Sequence, residues 1–335
     1  MKRSLLRAAV AALALTAAVG CSTGAPDSDT PDDGDGAYPV TIANTFGATT
    51  IDREPQRLVT MGWNAQDVLY ALGLRPVGQP KYSYGADPNG VMPWAQPYFD
   101  AETTTLYEHP QSGEPSIETI ATLTPDAILA PYEGFDRAYY DKLSALAPTV
   151  AYPGEAWQTT WQDQTTIVGR AVGKPAEAQA LVDGLGKTLS DTASAHPEFA
   201  GRTLTVVNLD TASGEANVYL PTDPRVQVLT ELGFVNAPGV EALARDNSAG
   251  TFYRSISLEN LRDIDADVVV AFVDAASDAA THPAVAQLSA VGRGSAVLMS
   301  DQRVISGLSN VNVLSIPWVL DTIVPELSTA ARSAG

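Results

Sequence analysis

Fifteen consecutive residues of this chain recur 141 positions further on, with no gap needed to align the two copies. Ser116, Glu118, Asp126 and Ala130 are matched by Ser257, Glu259, Asp267 and Ala271, and the apolar Ile117, Ile120 and Leu123 by Leu258, Leu261 and Ile264. In each copy a serine is placed to cap a helix, a glutamate falls in its first turn, and an aspartate leads into a buried strand. The flanking segments repeat the theme. Arg57–Gly62 reads as a strand, Gln66–Leu72 as a helix stopped by Gly73, and Pro76–Gly78 as a second strand. Ser116–Leu123 and Tyr139–Leu146 read as helices, alternating with strands at Asp126–Ala130 and Thr149–Tyr152. The pattern restarts at Arg202–Val207 and continues through Val226–Leu232, Asp267–Val273 and Ala296–Met299. Such alternation implies parallel α/β layers, and 335 residues with 45% hydrophobic content can build two cores.

The expected fold is therefore α/β, with two Rossmann-like lobes and a ligand cleft between them. The N-terminal lobe would span 38–174 and the C-terminal lobe 197–335. Between them, residues 175–196 begin with proline at the first helical position and place Ala178, Leu181, Val182, Leu185 and Leu189 at helical spacing. One long α-helix is expected to join the lobes and to limit how far the cleft closes.

The first 37 residues have a different character. Lys2, Arg3 and Arg7 precede an apolar stretch, Ala8 to Val19, which is far shorter than the roughly 20 residues that span a bilayer. Residues 1–20 read as a signal peptide. Small residues lead directly into Cys21, the chain's one cysteine. This junction resembles the bacterial lipobox, which implies a diacylglycerol thioether on Cys21 and an exported protein tethered to the outer face of the cell membrane. After Cys21, residues 22–37 hold only Pro, Gly, Ser, Thr, Ala and five Asp, a composition that reads as a flexible stalk.

Charge and the scarcity of reactive side chains exclude several functions. A net charge of −19 repels a phosphate backbone, so nucleic acid is not the partner. His109, His196 and His282 are far apart, with neither an H-E-x-x-H pattern nor a cysteine partner, so no histidine metal cage is expected. A G-x-S-x-G match at Gly20–Gly24 straddles the signal junction instead of a strand-to-helix turn. Gly186-Lys187-Thr188 lies inside the linker helix and makes no phosphate loop. No catalytic set remains, and the chain reads as a binding protein, not an enzyme.

Taken whole, Tyr38 to Leu327 resembles the siderophore-, haem- and cobalamin-binding lipoproteins of ABC importers, and most closely their iron-siderophore branch. The resemblance is carried by Tyr38–Ile42 with Phe46-Gly47, by Arg57–Asp67, by the two Ser-x-Glu segments, and by Trp318–Leu327. It implies that Glu118 and Glu259, one on each lobe, form salt bridges with arginines of two permease subunits, which in turn engage a cytoplasmic ATPase. It also implies a monomer that carries a ferric siderophore, with iron held by the siderophore and no cofactor of the protein's own. Some hydroxamate-binding relatives carry an arginine just before the first Ser-x-Glu motif, and Gln111–Pro115 offers none.

In α/β folds of this kind the ligand lies at the carboxyl ends of the strands. The loops there offer Trp63, then Tyr82, Tyr84 and Trp94, then Tyr132 and Glu133 in the first lobe. Tyr219, Arg245, Tyr253 and Arg254 hold the corresponding positions in the second. Aromatic rings can enclose a bulky chelate, and arginine can hydrogen-bond its anionic oxygens. Two other readings stay open on these residues. One is haem, with His109 or a cleft tyrosine as axial ligand, or cobalamin in the same fold. The other is a surface sensor or adaptor with no transport role.

Overall fold

The computed structural model describes residues 38–110, 114–274 and 279–335. Cys21, the signal segment and the stalk lie outside the described residues. The chain opens with an antiparallel hairpin, β1 (Val40–Asn44) and β2 (Gly47–Ile51). The first half continues with β3 (Leu58–Thr60), α1 (Ala65–Ala71), β4 (Gly78–Lys81), β5 (Thr105–Glu108) and α2 (Ile117–Thr122). It closes with β6 (Ala127–Ala130), α3 (Arg137–Ser144), β7 (Thr149–Ala151) and α4 (Trp161–Ala171). Its sheet has the order β5-β4-β3-β6-β7, and every neighbouring pair is parallel. The chain moves outward from β3 in one direction and then in the other, so the order reverses between β3 and β6.

Helix α5 (Pro175–Ala195) carries the chain to the second half, burying Ala178, Leu185 and Leu189; 21 helical residues extend about 30 Å. There follow β8 (Thr203–Asp210), β9 (Glu215–Tyr219), α6 (Pro224–Glu231), β10 (Val235–Asn236), α7 (Pro238–Arg245) and β11 (Tyr253–Ser257). The chain ends with β12 (Val268–Phe272), α8 (Ser289–Arg293), β13 (Ala296–Met299), α9 (Gln302–Ser309) and α10 (Ser315–Ser333). The second sheet runs β11-β9-β8-β12-β13, with β10 also paired to β8.

Three local expectations are corrected. The second sheet is mixed: β9 lies antiparallel to both β8 and β11. Only the tight turn Thr211–Gly214, with Gly214 at φ 78°, separates β8 from β9, and a parallel return needs a crossover of a dozen residues or more. The second strand of the parallel sheet begins at Gly78, two residues after Pro76, and runs to Lys81. Finally, the two repeat copies differ. Ser116 caps an α-helix by accepting the Thr119 N–H, whereas Ser257 accepts the Glu259 N–H and Leu258–Ile264 winds as a 3-10 helix. Leu258 N–H is already held by the Gly214 carbonyl at 3.0 Å, which ties this copy to the β8–β9 turn.

Alternation along the strands sorts side chains between cores. Val59 and Ile128 face one cluster in the first half, and Val207 and Val269 face another in the second. Their neighbours Leu58, Leu129, Val206 and Val270 turn to the opposite side, into a single apolar cluster that runs through Leu185 and Leu189 of α5 and Ile316 and Val319 of α10. The two halves thus share a core.

A buried polar network crosses the same junction. Asn64 Nδ2 donates to Gln164 Oε1 at 2.8 Å and to the Val311 carbonyl at 3.2 Å. Asp67 Oδ2 accepts from Trp94 Nε1 and from Asn312 Nδ2, both at 2.7 Å. Asp67 is fully buried and its Oδ1 has no partner among the described residues. Burial, opposed in part by these hydrogen bonds, pushes its pKa up to about 7 from 3.8.

That shift makes stability depend on pH. Above about pH 3.8 the unfolded carboxyl releases its proton while the folded one keeps it until about 7, so this group lowers stability as pH rises through that window. Asp67→Asn should lack the decline. Melting temperatures of parent and variant measured from pH 4 to 8 should shift steadily in the variant's favour, and a constant difference would contradict the assignment.

Candidate ligand-binding cleft

The loops after β3 and β6 lie where strand order reverses, the usual place for a crevice in a parallel sheet. After β3 the chain turns through Gly62 at φ 74°. A Cβ there would run into the Tyr132 carbonyl, so only glycine lets the two loops approach. The turn presents Trp63, whose ring stacks on Tyr82 with centroids 5.3 Å apart. Tyr82 is buried; its hydroxyl donates to the Gly62 carbonyl at 2.7 Å.

Across from Trp63, Tyr132 meets Trp157 edge to face at 5.7 Å. Trp157 has φ 63°, a conformation costly for a bulky residue, and its N–H donates to the Glu133 carbonyl at 3.2 Å. Tyr84 stands at the mouth, 39% exposed, with its carbonyl accepting from Ser306 Oγ of α9 at 3.3 Å.

The second half supplies the facing wall through β9 and β11. Their register sets Tyr253 opposite Tyr219 and Ser255 opposite Asn217, so Asn217, Tyr219 and Tyr253 share one face. Asp223 caps α6 and brings Arg225 to the same wall. Arg225 Nε and Nη2 grip the Asp223 carboxylate at 2.8 and 2.6 Å, and the guanidinium lies 3.7 Å from the Tyr219 ring centroid. Burial works against the Arg225 charge, but Asp223 together with Tyr219 and Tyr132 outweighs it, so its pKa is raised. Phe252, Ser306, Ser309 and Asn310 complete a cavity of about 370 Å³.

Five expected residues converge on this cavity: Trp63, Tyr84, Tyr132, Tyr219 and Tyr253. Tyr82 stands behind Trp63 and faces a smaller adjoining hollow. Neither Arg245 nor Arg254 lines the cavity. Arg254 follows Tyr253 on a strand and so faces away, pairing in register with buried Val218 and donating to the Asp246 carbonyl at 2.9 Å. Arg245 sits in the last turn of α7. The cation of the cleft is instead Arg225, whose sequence signal was the cap-proline pair Asp223-Pro224 just beyond Tyr219. Trp157 was also missed; the signal was an aromatic in the Gly154-flanked loop after β7.

Burial raises the pKa of Tyr84, Tyr132 and Tyr219 above 10, so they stand in the cleft as neutral phenols. His109 borders the adjoining hollow. Its Nε2 lies 3.3 Å from Glu133 Oε1 and its Nδ1 3.2 Å from the Pro110 carbonyl, so serving as an axial ligand would break one of these contacts. Among the described residues, no group of three or more His, Cys, Asp or Glu is placed to hold a metal ion, and no helix is long and apolar enough to cross a membrane.

Glu118 and Glu259 are both exposed. Each begins a segment that runs back to the start of a parallel strand, β6 or β12, so each lies toward the carboxyl ends of its sheet. The Ser116 hydroxyl at 2.8 Å holds the Glu118 carboxyl below its usual pKa.

A sequence model of the family described as periplasmic binding protein matches residues 58–301. The chain belongs to this family. Its members are substrate-binding proteins, not enzymes. The chain is 28% identical over 240 residues to the probable siderophore-binding lipoprotein YfiY of Bacillus subtilis, covering 71% of this chain and 70% of that one. It is 27% identical to the ferric enterobactin-binding periplasmic protein FepB of Escherichia coli, over 67% of this chain and 71% of that one. Among solved structures, Streptococcus pneumoniae PiaA in complex with ferrichrome superposes with a TM-score of 0.78 at 28% identity, covering 88% of this chain and 99% of PiaA.

Gly62 should be the backbone position on which the aromatic wall depends. Gly62→Ala adds strain of about 1–3 kcal/mol and a clash with the Tyr132 carbonyl. Urea unfolding should show a loss of at least about 2 kcal/mol, with altered Trp63 emission in the folded state; a loss under about 0.5 kcal/mol would refute this role.

Proposed function

We propose that this chain is the extracytoplasmic substrate-binding component of an ABC importer and that its cargo is a ferric siderophore. The observation that carries this reading is the enclosure itself, with aromatic rings from both halves surrounding a cavity whose one formal charge among the lining residues is Arg225. Such walls suit a bulky chelate whose iron is already wrapped. Ferric iron is then cargo coordinated by the siderophore, and the neutral tyrosines do not compete for it. Arg225 lines the cavity, and a guanidinium there can donate to a chelate oxygen. The relatives' names support the same ligand class, and they differ in the chelate they name.

Glu118 and Glu259 act as paired posts for arginines on two permease subunits, and the cytoplasmic ATPase is engaged through that permease. Exposed charges of this kind orient and speed docking more than they add affinity. Cys21 carries the lipid that keeps a monomeric protein at the outer face of the membrane.

Tryptophan fluorescence tests the ligand reading. The purified protein is titrated with ferric hydroxamate, catecholate and citrate chelates, haemin and cobalamin. One ferric chelate should quench saturably while its iron-free form does not, and Trp63→Ala should weaken binding by about tenfold or more. Silence toward every ferric chelate, or a response to haemin alone, would sink the proposal. Glu118→Lys combined with Glu259→Lys should abolish cellular uptake with the titration unchanged; normal uptake would rule out the docking role.

A further inference from the structure

Asp223 lies just behind the cavity wall and is fully buried. Its carboxylate cancels the charge of Arg225 through the two-pronged pair at 2.8 and 2.6 Å. A second cation near the cleft is matched too. In the adjoining hollow Lys81 pairs with Glu108 at 3.0 Å. Among the described residues that line it, the cleft therefore presents an aromatic interior with polar donors but no uncompensated positive charge, within a chain of net charge −19.

We propose that Asp223 sets the charge selectivity of the cleft, so that it takes a ferric chelate of zero net charge, of the tris-hydroxamate type, in preference to a polyanionic one. The inference rests on the siderophore reading above and deepens it. Three singly charged bidentate hydroxamates neutralise Fe³⁺, whereas three doubly charged catecholates leave a trianion. Moving a trianion out of water into an aromatic cavity is costly unless the site offers opposite charge. Here the guanidinium is already committed to Asp223. The field of an acidic protein further opposes the approach of an anion. A neutral chelate meets neither obstacle and can still accept a hydrogen bond from Arg225.

Asp223 also caps α6, accepting the Arg225 N–H at 2.8 Å. Asparagine caps a helix as well as aspartate does, so Asp223→Asn removes the charge and keeps the cap. The test titrates parent and variant with a neutral ferric tris-hydroxamate and a trianionic ferric tris-catecholate at several salt concentrations. The parent should prefer the neutral chelate. Asp223→Asn should shift the ratio of affinities toward the trianion by about tenfold or more, with the shift shrinking as salt rises. A parent that prefers the trianion overturns the proposal, as does a variant with an unchanged preference. Binding of neither chelate by the folded parent overturns this inference, and the siderophore reading falls with it only if ferric citrate chelates also fail to bind. If Asp223→Asn does not fold, Asp223→Ser supplies a second uncharged cap, and the parent's own preference needs no variant.

Discussion

Asn312 joins the two sides of the cleft with one side chain. Its Nδ2 donates to Asp67 Oδ2 at 2.7 Å, while its Oδ1 accepts the Leu314 and Ser315 N–H groups at 2.8 and 3.0 Å and so fixes the start of α10. Asp67 lies in the first turn of α1, a few residues beyond Trp63, and Ser309 and Asn310 lie three and two residues before Asn312. The walls on both sides are thus referred to one buried contact. Apolar packing alone is non-directional and would tolerate small slides. Hydrogen bonds buried at this depth tolerate little, because a misplaced partner leaves an unpaired polar group.

The shared core works in the same direction. Leu58 and Val68 from one half belong to the same apolar cluster as Val206 and Val270 from the other, with α5 and α10 between them. A close-packed interior that crosses from sheet to sheet resists large hinge motion, so the cleft is largely shaped before its ligand arrives. Adaptation falls instead to the rim, where Tyr84 is the most exposed of the aromatic residues that line the cavity.

Much of this was legible in the sequence. The strand–helix alternation and the offset repeat gave the α/β layers, and the rule that ligands sit at strand carboxyl ends picked out Trp63, Tyr84, Tyr132, Tyr219 and Tyr253. What escaped depended on pairing. Whether residue 253 or 254 faces the cleft is a matter of strand register, which a string of letters does not display, and the wrong phase for Arg254 followed from that. Arg225 was hidden because its place depends on the cap formed by Asp223. Trp157 was hidden because a positive φ in a loop has no periodic signature. The contact of Asn64 and Asp67 with Val311 and Asn312 joins residues at opposite ends of the described chain, and nothing local announces it.

A substrate-binding protein must hold its ligand without bonding to it too well, and the chemistry of the cleft fits that requirement. Direct coordination of Fe³⁺ would need phenolates or clustered carboxylates, and release would then require ligand exchange at the metal. Burial keeps Tyr132 and Tyr219 protonated, and the buried carboxylate of Asp223 is engaged by Arg225. A chelated ligand would keep all its metal bonds within itself. The cleft offers such a ligand aromatic rings and a guanidinium that is already paired, so its release would depend only on moving a few aromatic rings apart.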